Sequence, residues 1–177
     1  MREIILPTIK GMEKDGIPYT GFLYAGLMID AAGQPKTLEF NCRMGDPETQ
    51  PIMMRLKSDL YDVMMAATSG TLDQVELQWD RRPALGVVVA AAGYPMDPRK
   101  GGVIQGLPRE TDDAMVFHAG TAARDGETVT AGGRVLCVTA LGDTVKAAQQ
   151  RAYEVLRGIS FDGAQFRRDI GFRAVKV

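Results

Sequence analysis

The apolar run at residues 84–92, Ala-Leu-Gly-Val-Val-Val-Ala-Ala-Ala, constrains the fold of this chain more than any other segment. Continuous small apolar residues bounded by Gly93-Tyr94-Pro95 predict a buried strand rather than a surface element. Just before it, Trp79-Asp80-Arg81-Arg82-Pro83 interrupts the pattern with charge and proline, and this segment is the expected boundary between a first domain at residues 1–80 and a second at residues 81–177. The two halves differ in texture. Beyond the boundary, short strands are expected at residues 103–105, 115–118, 127–130 and 134–140, separated by glycine and proline turns. One amphipathic helix follows, with Asp143 as its cap and Val145, Ala148, Ala152 and Val155 on its inner face.

In the first half, Ile5, Ile9 and Met12 recur at helical spacing, with Pro7 tolerable only in a first turn. Gly11 and Gly16-Ile17-Pro18 then break the pattern. Residues 19–29 and 36–42 read as two strands joined by the turn chemistry of Asp30-Ala31-Ala32-Gly33-Gln34-Pro35, a β-hairpin. A helix is expected at residues 48–56. Another is capped by Ser58 or Asp59, carries Leu60, Val63, Met64 and Ala67 on one face, and ends at Ser69-Gly70. The fold class is therefore α+β: a hairpin with helices, then a small, mostly β domain with one amphipathic helix.

The 21 basic and 22 acidic side chains leave a formal charge of -1, which gives no electrostatic drive toward nucleic acid or anionic lipid. No apolar run approaches the ~18 residues of a membrane span. The opening Met1-Arg2-Glu3-Ile4-Ile5-Leu6-Pro7 is too short and too charged for a secretory signal, so no nucleic-acid or membrane partner and a cytoplasmic location are expected. Cys42 and Cys137 stand far apart without a CxxC grouping and read as buried, reduced thiols.

Candidate chemistry concentrates in Leu38-Glu39-Phe40-Asn41-Cys42-Arg43-Met44-Gly45-Asp46-Pro47-Glu48-Thr49-Gln50, which packs three carboxylates, two carboxamides and a guanidinium around a strand end. Glu39 and Asn41 lie two apart, so on a strand they share a face and can offer oxygen ligands to one hard cation. Phe40 and Cys42 then face the core. Arg43 is planar and permanently charged, suited to holding a phosphate or carboxylate through two parallel hydrogen bonds, and Asp46 and Glu48 can orient it or meet a substrate ammonium.

These residues, with Tyr19-Thr20-Gly21-Phe22-Leu23-Tyr24-Ala25-Gly26-Leu27-Met28 before them, resemble the later part of the phosphoribosylamine-glycine ligase family of ATP-grasp enzymes. The likeness continues through Gly86-Val87-Val88, Gly93-Tyr94-Pro95, Phe117-His118-Ala119-Gly120-Thr121, Gly132-Gly133-Arg134-Val135-Leu136 and Arg168-Asp169-Ile170-Gly171, essentially the whole chain. It implies the carboxy-terminal half of an ATP-grasp lobe followed by the ligase's carboxy-terminal domain. Glu39 and Asn41 become ligands of Mg2+ or Mn2+, Arg43 a catalytic and substrate-binding residue, and Asp46 and Glu48 substrate-binding residues. ATP is the co-substrate, glycine and 5-phosphoribosylamine are the substrates, and the amino-terminal lobes of the intact enzyme are the missing partners. Residues 23–29 lack the further carboxylate that many ATP-grasp enzymes carry on the preceding strand, so phosphate oxygens and water would complete the metal's shell. Without the nucleotide-gripping lobe, this chain alone is expected to be inactive.

Plainer readings stand beside these. The Glu39 and Asn41 pair alone is a weak signal, and Arg43 with Asp46 and Glu48 can be a surface ion-pair cluster. Asp46-Pro47 can simply make a turn, and Glu48 can simply favour a helix start. His118 reads as a partly buried, hydrogen-bonded strand residue, Gly101-Gly102 and Gly132-Gly133 as turns, and the methionines at 53, 54, 64 and 65 as core filler. Besides the ligase, the alternatives are a noncatalytic binding or assembly module that kept the fold, and another ATP-grasp carboxylate-amine ligase or a biotin-carboxylase-like protein.

Overall fold

The computed structural model describes residues 1–175. The chain divides into two compact units, residues 1–46 with 58–77, and residues 47–57 with 78–177.

The first unit holds α1 (Ile5–Lys14), strands β1 (Tyr24–Ile29) and β2 (Pro35–Asn41), helix α3 (Leu60–Thr68) and a short 3₁₀ turn at Leu72–Gln74. β1 and β2 pair antiparallel, with Gly26 opposite Glu39 and a bulge between Gly26 and Leu27. Their turn is built on Asp30, whose Oδ1 accepts from the backbone N–H groups of Ala32 and Gln34, both at 2.9 Å, while Gly33 takes φ 79°. The hairpin is shorter than expected, because residues 19–23 pair with no strand. α3 starts on Asp59, whose side chain accepts from the Tyr61 N–H at 2.8 Å, which selects it over Ser58 as the cap.

Helix α2 (Thr49–Arg55) belongs to the second unit, and a network around Asp80 shows why. The Asp80 N–H donates to Arg55 O at 2.7 Å, Arg55 Nη2 donates back to Asp80 O at 3.1 Å, and the Lys57 N–H reaches Gln78 O at 2.9 Å. The Asp80 carboxylate accepts from Arg82 Nε, Nη2 and backbone N–H, and Lys57 Nζ lies 3.6 Å from it.

The second unit is organised on a three-stranded antiparallel sheet of β3 (Ala84–Ala90), β4 (Ala114–His118) and β7 (Arg134–Leu141), with β7 central. This sheet is separate from the β1–β2 hairpin. β5 (Thr121–Arg124) and β6 (Glu127–Thr130) form a second hairpin, and α4 (Val145–Arg157) precedes the single turn α5 (Phe172–Val175). Leu85, Val87 and Val89 of β3 join Leu136, Val138 and Ala140 of β7 in a core completed by Ala148, Ala152 and Leu156 of α4. The alternate β3 residues serve the other face, where a Cβ on Gly86 would lie 3.1 Å from Cys137 Sγ and 3.4 Å from Pro51 Cγ of α2. That second face is only partly covered: Leu85, Val87 and Val89 are buried while Gly86 and Val88 are half-buried, so burial alternates along β3 although its sequence is apolar throughout.

Several expectations need correction. Phe40 is 43% exposed and Cys42 is exposed; only Cys137 is a buried thiol. A two-stranded hairpin without a cover on its second face leaves both sets of side chains accessible. Thr144, not Asp143, caps α4, its side chain accepting from the Ala147 N–H at 3.1 Å. Residues 103–105 make only isolated bridges, and residues 121–124, expected between strands, form β5. Met64 and Met65 are exposed rather than core filler.

Candidate functional site

Strand β2 presents Glu39 and Asn41 on one face, and their side chains meet: Asn41 Nδ2 donates to Glu39 Oε1 at 3.0 Å. Oε2 of Glu39 and Oδ1 of Asn41 take no part in that bond. They are two hard oxygen donors on neighbouring side chains at an accessible strand end, a donor set suited to a magnesium-like cation that keeps several waters. No group of three or more His, Cys, Asp and Glu side chains placed to hold a metal occurs among the described residues. Gly26 sits across the hairpin from Glu39 and was not read from the sequence as part of the site. A Cβ there would come within 3.0 Å of Glu39 Cγ, so the glycine leaves the space into which the Glu39 side chain leans.

Arg43 follows the strand end, exposed, with Nη1 donating to Met44 O at 3.1 Å. Asp46 is the last residue of the first unit's leading segment, exposed, next to the buried Gly45. Glu48 belongs to the second unit, where it adopts helical angles at the N-cap of α2 without a side-chain capping bond. His118 ends β4 and is exposed rather than partly buried, its Nδ1 3.1 Å from Thr121 Oγ1. Gly120 and Gly132 do serve close backbone approach, since a Cβ on Gly120 would lie 2.6 Å from Gly132 Cα.

The second unit carries a cleft of about 660 Å³ on the α2 side of its sheet. Gly86, Val88 and Ala90, the alternate residues of β3, line it together with Pro47. On one side stand Tyr94 and Arg134, with Arg134 Nε donating to Tyr94 OH at 2.9 Å. Gly133 lacks the Cβ that would strike the Tyr94 ring, so the ring can pack against the backbone just before Arg134. On the other side is the 165–170 segment, joined to β3 by paired bonds between Gln165 and Ala90 at 2.7 and 2.9 Å. Arg167 in this segment makes a two-pronged contact to Asp169, at 2.9 and 2.8 Å, which holds the Asp169 carboxyl below its ordinary range. Sequence reading gave Tyr94 and Arg134 no role. Both stand in quoted motifs, Gly93-Tyr94-Pro95 and Gly132-Gly133-Arg134, but forty positions apart, and only the fold brings them together.

Comparison with known proteins gives a consistent picture. Residues 84–173 match the family model described as phosphoribosylglycinamide synthetase, C domain, and residues 1–49 match phosphoribosylglycinamide synthetase, ATP-grasp (A) domain. The chain is 69% identical over 176 residues to a phosphoribosylamine--glycine ligase of Ralstonia nicotianae, covering 99% of this chain and 42% of that protein. It is 60% identical over 178 residues to the ligase of the same name from Escherichia coli O157:H7, again 99% of this chain and 42% of the relative. The chain thus spans about two fifths of the length of these curated relatives. Among solved structures, the phosphoribosylamine--glycine ligase of Thermotoga maritima aligns with TM-score 0.79 and 41% identity over 91% of this chain and 39% of that one. The biotin carboxylase domain of Hydrogenobacter thermophilus 2-oxoglutarate carboxylase, at 15% identity, TM-score 0.62 and coverage of 90% and 35%, shares the fold. The α+β architecture with ATP-grasp neighbours agrees with the sequence reading, and on the family matches and identities this chain belongs to the phosphoribosylglycinamide synthetase family.

Proposed function

We propose that this chain supplies the metal-binding strand and the carboxy-terminal domain of an ATP-dependent ligase of purine biosynthesis, which joins glycine to 5-phosphoribosylamine to give glycinamide ribonucleotide, ADP and phosphate. The carboxylate oxygen of glycine attacks the γ-phosphorus of ATP and releases ADP; the amine then attacks the acyl carbon of glycyl phosphate and releases phosphate. Both partners of the first step are anionic. Glu39 and Asn41 fit the holding of Mg2+ or Mn2+, with one carboxylate and one carboxamide oxygen on a common face. When bound, such a cation neutralises phosphate charge during transfer. Arg43, exposed just beyond the strand, binds and orients a phosphate or carboxylate group, and Asp46 and Glu48 offer carboxylates to a substrate ammonium.

One observation carries this reading: the Glu39 and Asn41 pair lies side by side within a chain 69% identical, over 99% of its length, to a ligase of that name. This chain spans about two fifths of its relatives' length, and on the ATP-grasp reading a nucleotide is held between two lobes, so the 177-residue chain alone is expected to bind ATP weakly and form no product. The test is a chimera in which this chain replaces the matching segment of the Ralstonia nicotianae relative. Glycinamide ribonucleotide from the chimera with ATP, Mg2+, glycine and fresh phosphoribosylamine, and none from the chain alone, is the expected result. An inactive but folded chimera would overturn the proposal.

A further inference from the structure

We propose that the hollow between the end of α2 and the segment entering β3 is a binding site for a small aromatic carboxylate, with Arg55 holding the carboxylate and Trp79 the ring. It lies at the opposite end of α2 from Glu48 and does not rest on the ligase reading.

The hollow encloses about 300 Å³, at the lower end of the ~300–1,000 Å³ of small-molecule sites. Pro51, Ile52 and Arg55 of α2 line it together with Trp79, Pro83 and Ala84, so its lining holds one guanidinium and no carboxylate. Arg55 is half-buried and donates through Nε and Nη2 to a single acceptor, the uncharged Asp80 carbonyl, at 3.3 and 3.1 Å. Among the described residues Arg55 makes no ion pair, and the Asp80 carboxylate is engaged by Arg82 and Lys57 instead. A guanidinium carries five N–H donors and keeps its charge, so a half-buried positive charge with unused donors lines the hollow.

Charge and shape narrow the ligand. One cation matches one negative charge, and its planar fork matches the two oxygens of a carboxylate, whereas a phosphate monoester brings about 1.5 to 2 charges at neutral pH. Trp79 is 41% exposed, so its indole offers a face on which an aromatic ring gains more than its buried area alone provides. The two prolines, Ile52 and Ala84 add apolar surface around it. Both determinants are held before any ligand arrives: an antiparallel bridge joins Leu56 to Trp79, flanked by the Asp80 N–H on Arg55 O at 2.7 Å and the Lys57 N–H on Gln78 O at 2.9 Å. Fixed groups bind with little ordering cost at the moment of association.

Trp79 is the only tryptophan of the chain, so a single indole N–H resonance reports on this site alone. The test titrates the 177-residue chain with benzoate. Saturable shifts are expected at that resonance and at the amides of Ile52, Arg55 and Ala84. Benzamide, which keeps the ring and loses the charge, should bind at least about tenfold more weakly, and cyclohexanecarboxylate, which keeps the charge and loses the aromatic ring, about two- to tenfold more weakly. Phenyl phosphate should bind no more tightly than benzoate. Arg55→Gln should weaken benzoate binding about tenfold or more. The ligand comparisons use the unaltered chain, so they stand even where a substitution disturbs folding. Absence of saturable shifts, benzamide binding as tightly as benzoate, tighter binding of phenyl phosphate, or unchanged affinity in folded Arg55→Gln would each refute the site.

The chimera decides whether the site belongs to the longer protein. Calorimetric titration of the chimera with benzoate should give the affinity of the isolated chain, and the same loss with Arg55→Gln. Binding by the isolated chain that disappears in the folded chimera would mean that the hollow is filled there and would remove the site, whether or not the chimera forms glycinamide ribonucleotide.

Discussion

Gly26→Ala offers a sharp test of the Glu39 site, because stability and metal affinity should respond differently to it. In the structure an added Cβ would lie 3.0 Å from Glu39 Cγ and 3.7 Å from Oε1. Carbon atoms rest at about 3.5–4.0 Å, so Cγ must retreat by roughly 0.5–1 Å. Metal ligands tolerate only about 0.2 Å of misplacement, and disturbing a group that orients a ligand typically lowers metal affinity about 10- to 100-fold. We expect about a tenfold loss, ~1.4 kcal/mol, since part of the shift can be absorbed by rotation of a flexible glutamate. Folding should hardly suffer. Gly26 does not use a positive φ, so alanine is sterically allowed, and replacing glycine gains about 0.4–1 kcal/mol through the unfolded chain, against the local crowding. The assay is Mn2+ binding to the chimera by electron paramagnetic resonance, beside the Mg2+ dependence of product formation and a thermal melt. Combined with Glu39→Gln, the substitution should add little, because both act through one carboxylate. An unchanged Mg2+ midpoint in Gly26→Ala would refute the role given to Glu39, and a collapsed melt would refute the packing argument.

Other expectations follow from the same structure. Glu39→Gln in the chimera should lower turnover strongly with the melt unchanged, and Arg43→Lys should also impair it, because lysine cannot make a two-pronged contact; normal kinetics in either would return that residue to the solvated surface. The Arg82 guanidinium first, and its backbone N–H second, hold the Asp80 carboxyl well below its ordinary value of 3.8. A depressed carboxylate contributes stability that is complete above that ordinary value and is lost as pH falls through the lower folded one, so the melting temperature should drop below about pH 4, and Asp80→Asn should flatten that drop in a pH series of melts. Leu136→Ala, at a fully buried position of the central strand, should cost about 2–5 kcal/mol in urea unfolding of the second unit. Amide exchange should be slow in β3, β4 and β7 and fast throughout residues 1–46 and 58–77; equal protection in both units would contradict the burial pattern.

That last contrast has a direct physical cause. Every buried hydrophobic residue among those described belongs to the second unit, from Leu85 to Phe161. The first unit leaves Met28 57%, Ile29 57% and Leu38 65% exposed. Ordering a backbone residue costs about 1–2 kcal/mol, and a unit that buries no complete apolar side chain has little to set against it. Met28 and Ile29 are successive strand residues, so apolar side chains are open on both faces of the hairpin. On the ligase reading, the hairpin amides that the isolated chain leaves open to exchange should gain protection in the chimera.

Burial also explains what could be read from the sequence. The β3 run, the β1–β2 turn at Asp30 and the α4 face were legible because each is set by local pattern: unbroken apolarity, turn chemistry, and a 3.6-residue period. The inward assignment of Phe40 and Cys42 failed for the opposite reason, since alternation along a strand says which residues share a face but not whether anything covers it. Glu39 and Asn41 were legible as neighbours because their contact is set by the two-residue repeat of one strand. Gly26 was not, because its meaning depends on the register that places it opposite Glu39. Nor was the cleft. Tyr94 follows β3 and Arg134 begins β7, elements that local pattern could locate, yet their convergence with Arg167 depends on β7 pairing with β3 and on the 165–170 segment returning along that strand, contacts between residues forty or more positions apart.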